Sequence, residues 1–363
     1  MKALTFFSLL LLIGSIAGCV ANRDTTDRHV GIKLKPNYAV VNVFFGTDRE
    51  ENIGLDVKNR FGLEQGEIKY GTAKVSIPRD HRMGELEKPS ILRLEFRENP
   101  EKHVVLLNIS TRPKDKYFEE LASKIRSSAK RSAFIFVHGY NVSFEEAAKR
   151  TAQISYDLAF EGAPVFYSWP SQGKIASYTI DKRNVEWAEV NLKAFLDDFL
   201  SRSSAQNVYL VAHSMGNLAL TGAVVSLLDD KPEFRSQLTE IILTAPDIDA
   251  DVFKRDIAPA LLESKTPVTL YASSEDKALL ASKEVHGHPR VGDSSERLVI
   301  VQGIETIDAT GANTSFLGHS YFADTKSVLS DLFYLIRDGL RANQRFGLSV
   351  VNSPAGRYWK IKE

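Results

Sequence analysis

The stretch Asn207-Val208-Tyr209-Leu210-Val211-Ala212-His213-Ser214-Met215-Gly216-Asn217 constrains this chain more than any other. A strand-forming apolar run stops at a small-x-Ser-x-Gly pentapeptide. Helical spacing follows at Leu218, Leu220, Val224, Leu227 and Leu228. Strand, sharp turn and helix in that order stand a serine hydroxyl clear of a sheet edge, provided the flanking residues are small enough for strand and helix to approach. The plainer alternative is a tight connection with a structural serine, and residues farther along the chain decide between the two. Ala212 occupies a position where such pentapeptides usually carry glycine.

The rest of the chain can be laid out around that serine. Residues 133–137 form a continuous apolar run of the kind buried on both faces of a parallel sheet, ending at His138-Gly139-Tyr140-Asn141. Ser143 and Glu146 have the form of a capping box opening a helix to about residue 158. A strand at 163–168 ends in Trp169-Pro170-Ser171, and a helix through Trp187, Val190, Leu192, Phe195 and Leu196 follows. Beyond the serine, strands at 240–244, 267–271 and 297–301 lead to Ala245-Pro246-Asp247-Ile248-Asp249, to Ala272-Ser273-Ser274-Glu275-Asp276, and to a loop reaching Gly318-His319-Ser320 before a long helix. Upstream, Tyr117, Phe118, Leu121 and Ile125 mark a helix over 114–130. Earlier strands are expected at 39–45, closing at Gly46-Thr47-Asp48-Arg49, and at 67–77, 91–96 and 103–109. They form either the antiparallel edge of the main sheet or a small cap. The segment 171–186, with Lys174, Tyr178, Asp181, Lys182 and Arg183, is either a solvated loop or the border of a pocket. Alternating strands and helices predict a mostly parallel central sheet with helices on both faces, plus additional N-terminal strands. Ligands of such sheets gather at the carboxyl ends of the strands, where each polar cluster falls.

A serine hydroxyl is a poor nucleophile at neutral pH unless a base lies within hydrogen-bond reach, a third group orients that base, and donors await the oxyanion. Ser214 is the candidate nucleophile and His319 the candidate base, in a Gly-His turn after the last expected strand. Asp276 is the preferred acid, with Asp249 and then Asp247 as alternatives. The aspartates after residue 244 have a second possible role as helix caps. Backbone amides of Tyr140 and Met215 are the candidate oxyanion donors, and Gly139 lets the first of these loops turn toward the serine. The other histidines suit the base less well. His138 shapes the oxyanion loop, and the side chain of His213 points away from Ser214. His286 and His288 lack a third ligand for a metal, so no metal site is expected. The chemistry requires no cofactor.

The first residues carry a different signal. Met1-Lys2-Ala3 precedes an apolar core over 4–13, then Ser15-Ile16-Ala17-Gly18-Cys19. This is the form of an export signal too short to span a bilayer, and Ile16-Ala17-Gly18-Cys19 looks like a bacterial lipobox. Cys19 is the sole cysteine among 363 residues, which suits a thiol used for lipidation and a chain without disulfides. The expected organisation is a signal peptide over 1–18, a lipidated tether over 19–37 and a catalytic domain over 38–363. Within that domain, 38–112 holds the N-terminal strands, 113–345 the catalytic core and 346–363 a C-terminal tail. Val20 after the cysteine, by resemblance to enterobacterial lipoproteins, favours an outer membrane anchor facing the periplasm. Forty-six basic residues balance 46 acidic ones, so no electrostatic footprint for nucleic acid is present.

The order Ser214, Asp276, His319 is the Ser…Asp…His order of the α/β-hydrolase fold. His-Gly-Tyr-Asn, Trp-Pro-Ser, Ala-His-Ser-Met-Gly-Asn, Ala-Pro-Asp-Ile-Asp and Ser-Ser-Glu-Asp-Lys-Ala-Leu together resemble a bacterial family of uncharacterised α/β-hydrolases, often exported, over roughly residues 38–345. The resemblance implies an esterase- or lipase-like serine hydrolase acting on an ester or lipid-like small molecule. Two other readings stay open: a membrane-tethered binding or assembly protein with a relict triad, and a thioesterase or amidase on the same fold.

Overall fold

A computed structural model describes residues 36–174, 177–276, 279, 282–283, 287–312 and 326–362. Cys19, His286 and His319 lie outside the described residues. The strands are β1 (Tyr38–Glu51), β2 (Phe61–Pro78), β3 (Val105–Arg112), β4 (Ser132–Val137), β5 (Ala163–Ser168), β6 (Asn207–His213), β7 (Leu238–Thr244), β8 (Val268–Ala272), β9 (Ile304–Asp308), β10 (Leu348–Ser353) and β11 (Gly356–Ile361). They join in one sheet in the order β10-β11-β9-β8-β7-β6-β4-β5-β1-β2-β3. From β1 through β9 and on to β11 neighbouring strands run parallel, while β2, β3 and β10 pair antiparallel. The N-terminal strands therefore extend the main sheet and are not a separate cap.

The period-2 alternation of the parallel strands divides the interior into two layers. Ala133, Ile135 and Val137 of β4 and Val208, Leu210 and Ala212 of β6 pack on one side, with α1 (Lys114–Arg126), α3 (Tyr178–Arg202), α4 (Gly216–Asp230) and the stretch from α5 (Ala250–Val252) to α6 (Ala258–Glu263). Phe134, Phe136, Tyr209 and Val211 face the other side, against α2 (Phe144–Asp157) and α7 (Lys326–Ile336). This is the α/β-hydrolase fold. Ala212 is wholly buried in the first layer, so its methyl is absorbed by the core. Helix α2 starts at the expected capping box, with the Glu146 amide donating to Ser143 Oγ at 3.2 Å and the Ser143 amide to Glu146 Oε2 at 3.1 Å.

Four expectations are corrected. The polar residues Thr47, Asp48 and Arg49 do not close β1; the strand runs on through them and buries all three. Residues 91–96 form no strand but an exposed loop with one 3-10 turn at Ile91–Arg93, because Leu94, at φ +57°, turns the chain out of an extended path. The strand next to β8 is β9, beyond the expected 297–301 run: Gly303, at φ +97°, turns the chain, and the second apolar run takes the sheet position. The C-terminal segment is no tail, since β10 and β11 form a hairpin whose Trp359 registers with Ile307 of β9.

Candidate functional site

Strand β6 ends at His213, and Ser214 takes φ +50° before α4 begins at Gly216. A left-handed backbone costs a residue with a Cβ about 1–2 kcal/mol, so the turn is held by its surroundings. Its carbonyl accepts from the Asn217 amide at 3.2 Å, Asn217 Nδ2 at 2.8 Å and the Asp247 amide at 3.2 Å, while the Ser214 amide donates to Thr244 O at 3.0 Å. Two glycines let the backbones close on the serine. A Cβ on Gly216 would lie 2.3 Å from His138 O, and one on Gly139 would lie 2.8 Å from Ser214 Cβ. Ser214 and the loop after β4 are therefore in direct apposition. The alternation of β6 turns His213 away from the α4 side.

Met215 is the N-cap of α4 and lacks a side-chain cap. Amides at a helix start have no intrahelical acceptor and carry the positive end of the helix dipole. The Met215 amide thus belongs to a set of donors suited to a developing negative charge. Tyr140 follows Gly139 in the apposed loop, its ring edge-on to Tyr178 with centroids 5.5 Å apart.

A buried polar frame holds that loop. Arg49 is fully buried at the end of β1; its Nε donates to Ser168 Oγ at 2.9 Å, Nη1 to Gly62 O at 2.9 Å and Ser171 O at 3.1 Å, and Nη2 to Val142 O at 2.8 Å. Ser168 Oγ lies 3.1 Å from His138 Nε2, and His138 Nδ1 lies 2.8 Å from Gly139 O. These distances form one chain: arginine donates to the serine, the serine hydroxyl to Nε2, and Nδ1–H to the glycine carbonyl. Burial, and then the Arg49 charge, push the His138 imidazole down to about 3. It is neutral, stacked on Trp169 at 5.0 Å, and acts as a strut. Asp181 completes the frame, accepting from Ser171 Oγ at 2.6 Å, the Gln172 amide at 2.7 Å and the Asn141 amide at 3.2 Å. Tyr178 and Asp181 are thus built into the loop's support; Asp181 is wholly buried.

The three candidate acids sit in different surroundings. Asp249 caps α5, its Oδ1 accepting from the Asp251 amide at 2.9 Å and the Val252 amide at 3.0 Å. Burial opposes its charge, yet those amides hold its carboxyl below the ordinary range. Asp247 is buried with both oxygens engaged, Oδ1 by Arg290 Nε at 2.7 Å and Ser282 Oγ at 2.6 Å, Oδ2 by Tyr178 OH at 2.7 Å. An imidazole reaching Asp247 would have to share it with these three donors. Asp276 lies just beyond β8, two strands from the serine, with Oδ1 accepting from the Leu279 amide at 3.1 Å. Asp276→Asn is accordingly expected to lower kcat on the order of 10³–10⁴-fold, whereas Asp249→Ala costs about 1 kcal/mol of stability as a lost cap and keeps kcat. Steady-state kinetics and urea denaturation of both variants check this, and wild-type kcat in Asp276→Asn would exclude it as the acid. Among the described residues no group of His, Cys, Asp and Glu is arranged to hold a metal.

Arg49 and Asn217 are supporting residues to which the sequence assigns no role, and Asp181 is one it places only in a segment that is either solvated or at the border of a pocket. Asn217 was visible inside the quoted Ala-His-Ser-Met-Gly-Asn motif. Arg49 had no local signal, since its partners lie up to 122 residues away.

Among solved structures, the chain is similar to a predicted CIB-like hydrolase from Thermoplasma acidophilum, at 15% identity over 58% of this chain and 89% of that one, TM-score 0.35. It is also similar to lipase B from Aspergillus fumigatus, at 14% identity over 51% of this chain and 45% of that one, TM-score 0.28. A third likeness is to an inhibited esterase B from Lactobacillus rhamnosis, at 9% identity over 76% of this chain and 78% of that one, TM-score 0.29. No curated protein matches the sequence. A family model does match, over residues 114–338, from α1 through the strand-turn-helix at Ser214 to α7. The protein is a hydrolase of the α/β class and belongs to the family described as "Alpha/beta hydrolase of unknown function (DUF900)".

Proposed function

We propose that the protein is a serine hydrolase cleaving carboxylic esters through an acyl-enzyme on Ser214. The observation that carries this reading is the strained turn at Ser214, φ +50°, pressed against the loop that contains Tyr140. A structural serine needs neither the left-handed backbone nor two glycines admitting a second loop to its Cβ. In the proposed cycle His319 takes the Ser214 proton as Oγ attacks the ester carbonyl, and the amides of Met215 and Tyr140 receive the oxyanion. His319 then protonates the leaving alcohol; water, deprotonated by the same imidazole, releases the acid. Asp276 orients the imidazole and supports its positive form. We place the catalytic domain on a lipid anchor at Cys19 in the bacterial envelope, on the side of the outer membrane facing the periplasm. Among the described residues no helix is long and apolar enough to cross a membrane.

A fluorophosphonate probe tests the chemistry directly. Wild-type protein is expected to incorporate one probe per chain, and Ser214→Ala none. Folded wild-type protein that takes up no probe would return the relict-triad reading, and labelling that survives in Ser214→Ala would place the nucleophile elsewhere.

A further inference from the structure

We propose that the catalytic edge of the sheet docks on a phospholipid surface through an apolar rim made by two loops, and that the ester cleaved lies in that surface. The second clause rests on the serine-hydrolase reading; the first does not.

Ile53 and Leu55 lie in the β1–β2 connection, and Ile91, Leu92, Leu94 and Phe96 in the β2–β3 connection, all between 54% and 97% exposed. Large apolar side chains so grouped and so exposed mark an interaction surface. Ion pairs tie the two loops to each other and to one helix end. Lys58 of the first loop pairs with Glu98 of the second at 2.7 Å, Glu98 with Lys149 at 2.7 Å, and Lys88 with Glu146 at 3.3 Å. Glu146 and Lys149 stand in the first turns of α2, directly after the loop apposed to Ser214. The β2–β3 connection leaves β2 at Pro78, level with Tyr38, but these pairs carry its residues 88 and 98 to the start of α2, so the rim borders the end of the sheet that carries the candidate site. Leu94 adds a further sign of a built feature: it holds φ +57°, with its amide donating to Ile91 O at 2.9 Å.

The charges of the rim suit a phosphate headgroup layer. Between residues 88 and 98 the acids are turned into the protein's own pairs, Glu95 with His103 at 3.1 Å and Glu98 with two lysines, each less than a fifth exposed. Lys88 and Arg93, though paired with Glu146 and Glu95, leave 58% and 62% of their side chains exposed, and Arg97 is exposed as well. Apolar side chains interleaved with bases, as in the β2–β3 connection, bind at the boundary of headgroups and acyl chains. A second copy of the chain is a poorer occupant, because a stable interface takes roughly 20–30 residues a side and this rim offers six apolar ones. The length of chain ahead of the domain is also sufficient. Tyr38 begins β1 at the opposite end from Glu51, a separation of about 43 Å for a strand of 14 residues. The 17 Cα steps from Cys19 to Pro36 reach up to about 60 Å, so an anchor at Cys19 lets this edge meet the same bilayer.

The test uses the full chain carrying Leu92→Trp, mixed with phosphatidylglycerol–phosphatidylcholine vesicles whose acyl chains are brominated; the unsubstituted chain supplies the background of Trp169, Trp187 and Trp359. The introduced indole is expected to lose at least half its emission to the bromines, and to lose no more than background when Ile91→Asp and Phe96→Asp are added. No quenching, or quenching that persists in the aspartate variants, overturns the docking. A dimer in lipid-free sedimentation that Ile91→Asp and Phe96→Asp dissolve overturns it in favour of a second copy. For the substrate clause, the ratio of turnover on a long-chain ester in vesicles to turnover on a water-soluble butyrate ester should fall at least tenfold with the aspartates; an unchanged ratio overturns that clause. Wild-type protein that turns over neither ester refutes the serine-hydrolase reading, while the quenching still decides the docking.

Discussion

Ser214→Ala is expected to lower kcat on a soluble ester by a factor on the order of 10⁶ while leaving the fold intact. The substitution deletes one hydroxyl and keeps the Cβ, so the left-handed strain at φ +50° is the same in both proteins. The carbonyl contacts from Asn217 and Asp247 do not involve the side chain. Ser214→Gly separates strain from chemistry. It removes the same nucleophile and also the Cβ that makes φ +50° costly, so it should be more stable than Ser214→Ala by about 1 kcal/mol. Chemical denaturation of the two inactive variants measures that difference. The comparison has two independent points of failure. A Ser214→Ala protein within tenfold of wild-type kcat would remove the serine from the mechanism. A glycine variant no more stable than the alanine one would mean that the turn is not strained, and with it would fall the structural observation favouring a nucleophile over a connecting residue.

How far such a site can be read before folding depends on the range of the forces that make it. The turn at Ser214 and the capping box of α2 were legible because their signals are local: apolar run, small residues and helical spacing within a dozen positions, or one hydroxyl and one carboxylate three residues apart. The alternation of strands and helices likewise predicted the parallel sheet. Thr47, Asp48 and Arg49 misled for the same reason. Polar residues after an apolar strand read as a loop, and most of the partners that make it possible to bury them, Ser168, Ser171, Val142 and Asn191, lie more than 90 residues away. Ile91, Leu92, Leu94 and Phe96 misled in the opposite sense. Their spacing imitates a strand, yet the chain turns at Ile91–Arg93 and Leu94 takes φ +57°, so the run does not stay extended. The hairpin of β10 and β11 shows a third case. Its residues read as a tail, because their place beside β9 depended on Gly303 turning the chain so that Ile304–Asp308 took the inner position.

The buried frame leads to the second large effect. Arg49→Met is expected to destabilise the protein by about 3–5 kcal/mol, against a typical total of about 5–15 kcal/mol. Methionine fills much of the volume but none of the hydrogen bonds. Gly62 O, Ser171 O and Val142 O lose their donor together, and Ser168 Oγ loses the arginine that lets it commit its own proton to His138. Asp48 is affected too. Burial already raises its carboxyl to about 7, and Arg49 is one of the groups holding it down, so without the guanidinium it protonates at still higher pH. Lysine does not rescue the site, because a single ammonium cannot span acceptors on β2, β5 and the loop after β4. The consequence for catalysis follows from Val142 and Gly139. Both carbonyls belong to the loop that offers the Tyr140 amide, and a displaced oxyanion donor costs on the order of 10²–10³ in kcat. Kinetics normalised to the folded fraction, with active sites counted by fluorophosphonate, separate the two effects. A lowered midpoint with wild-type kcat per folded site would reduce Arg49 to a bolt between strands. A lowered kcat per folded site makes the N-terminal strands, which lie outside the matched residues 114–338, part of the catalytic apparatus.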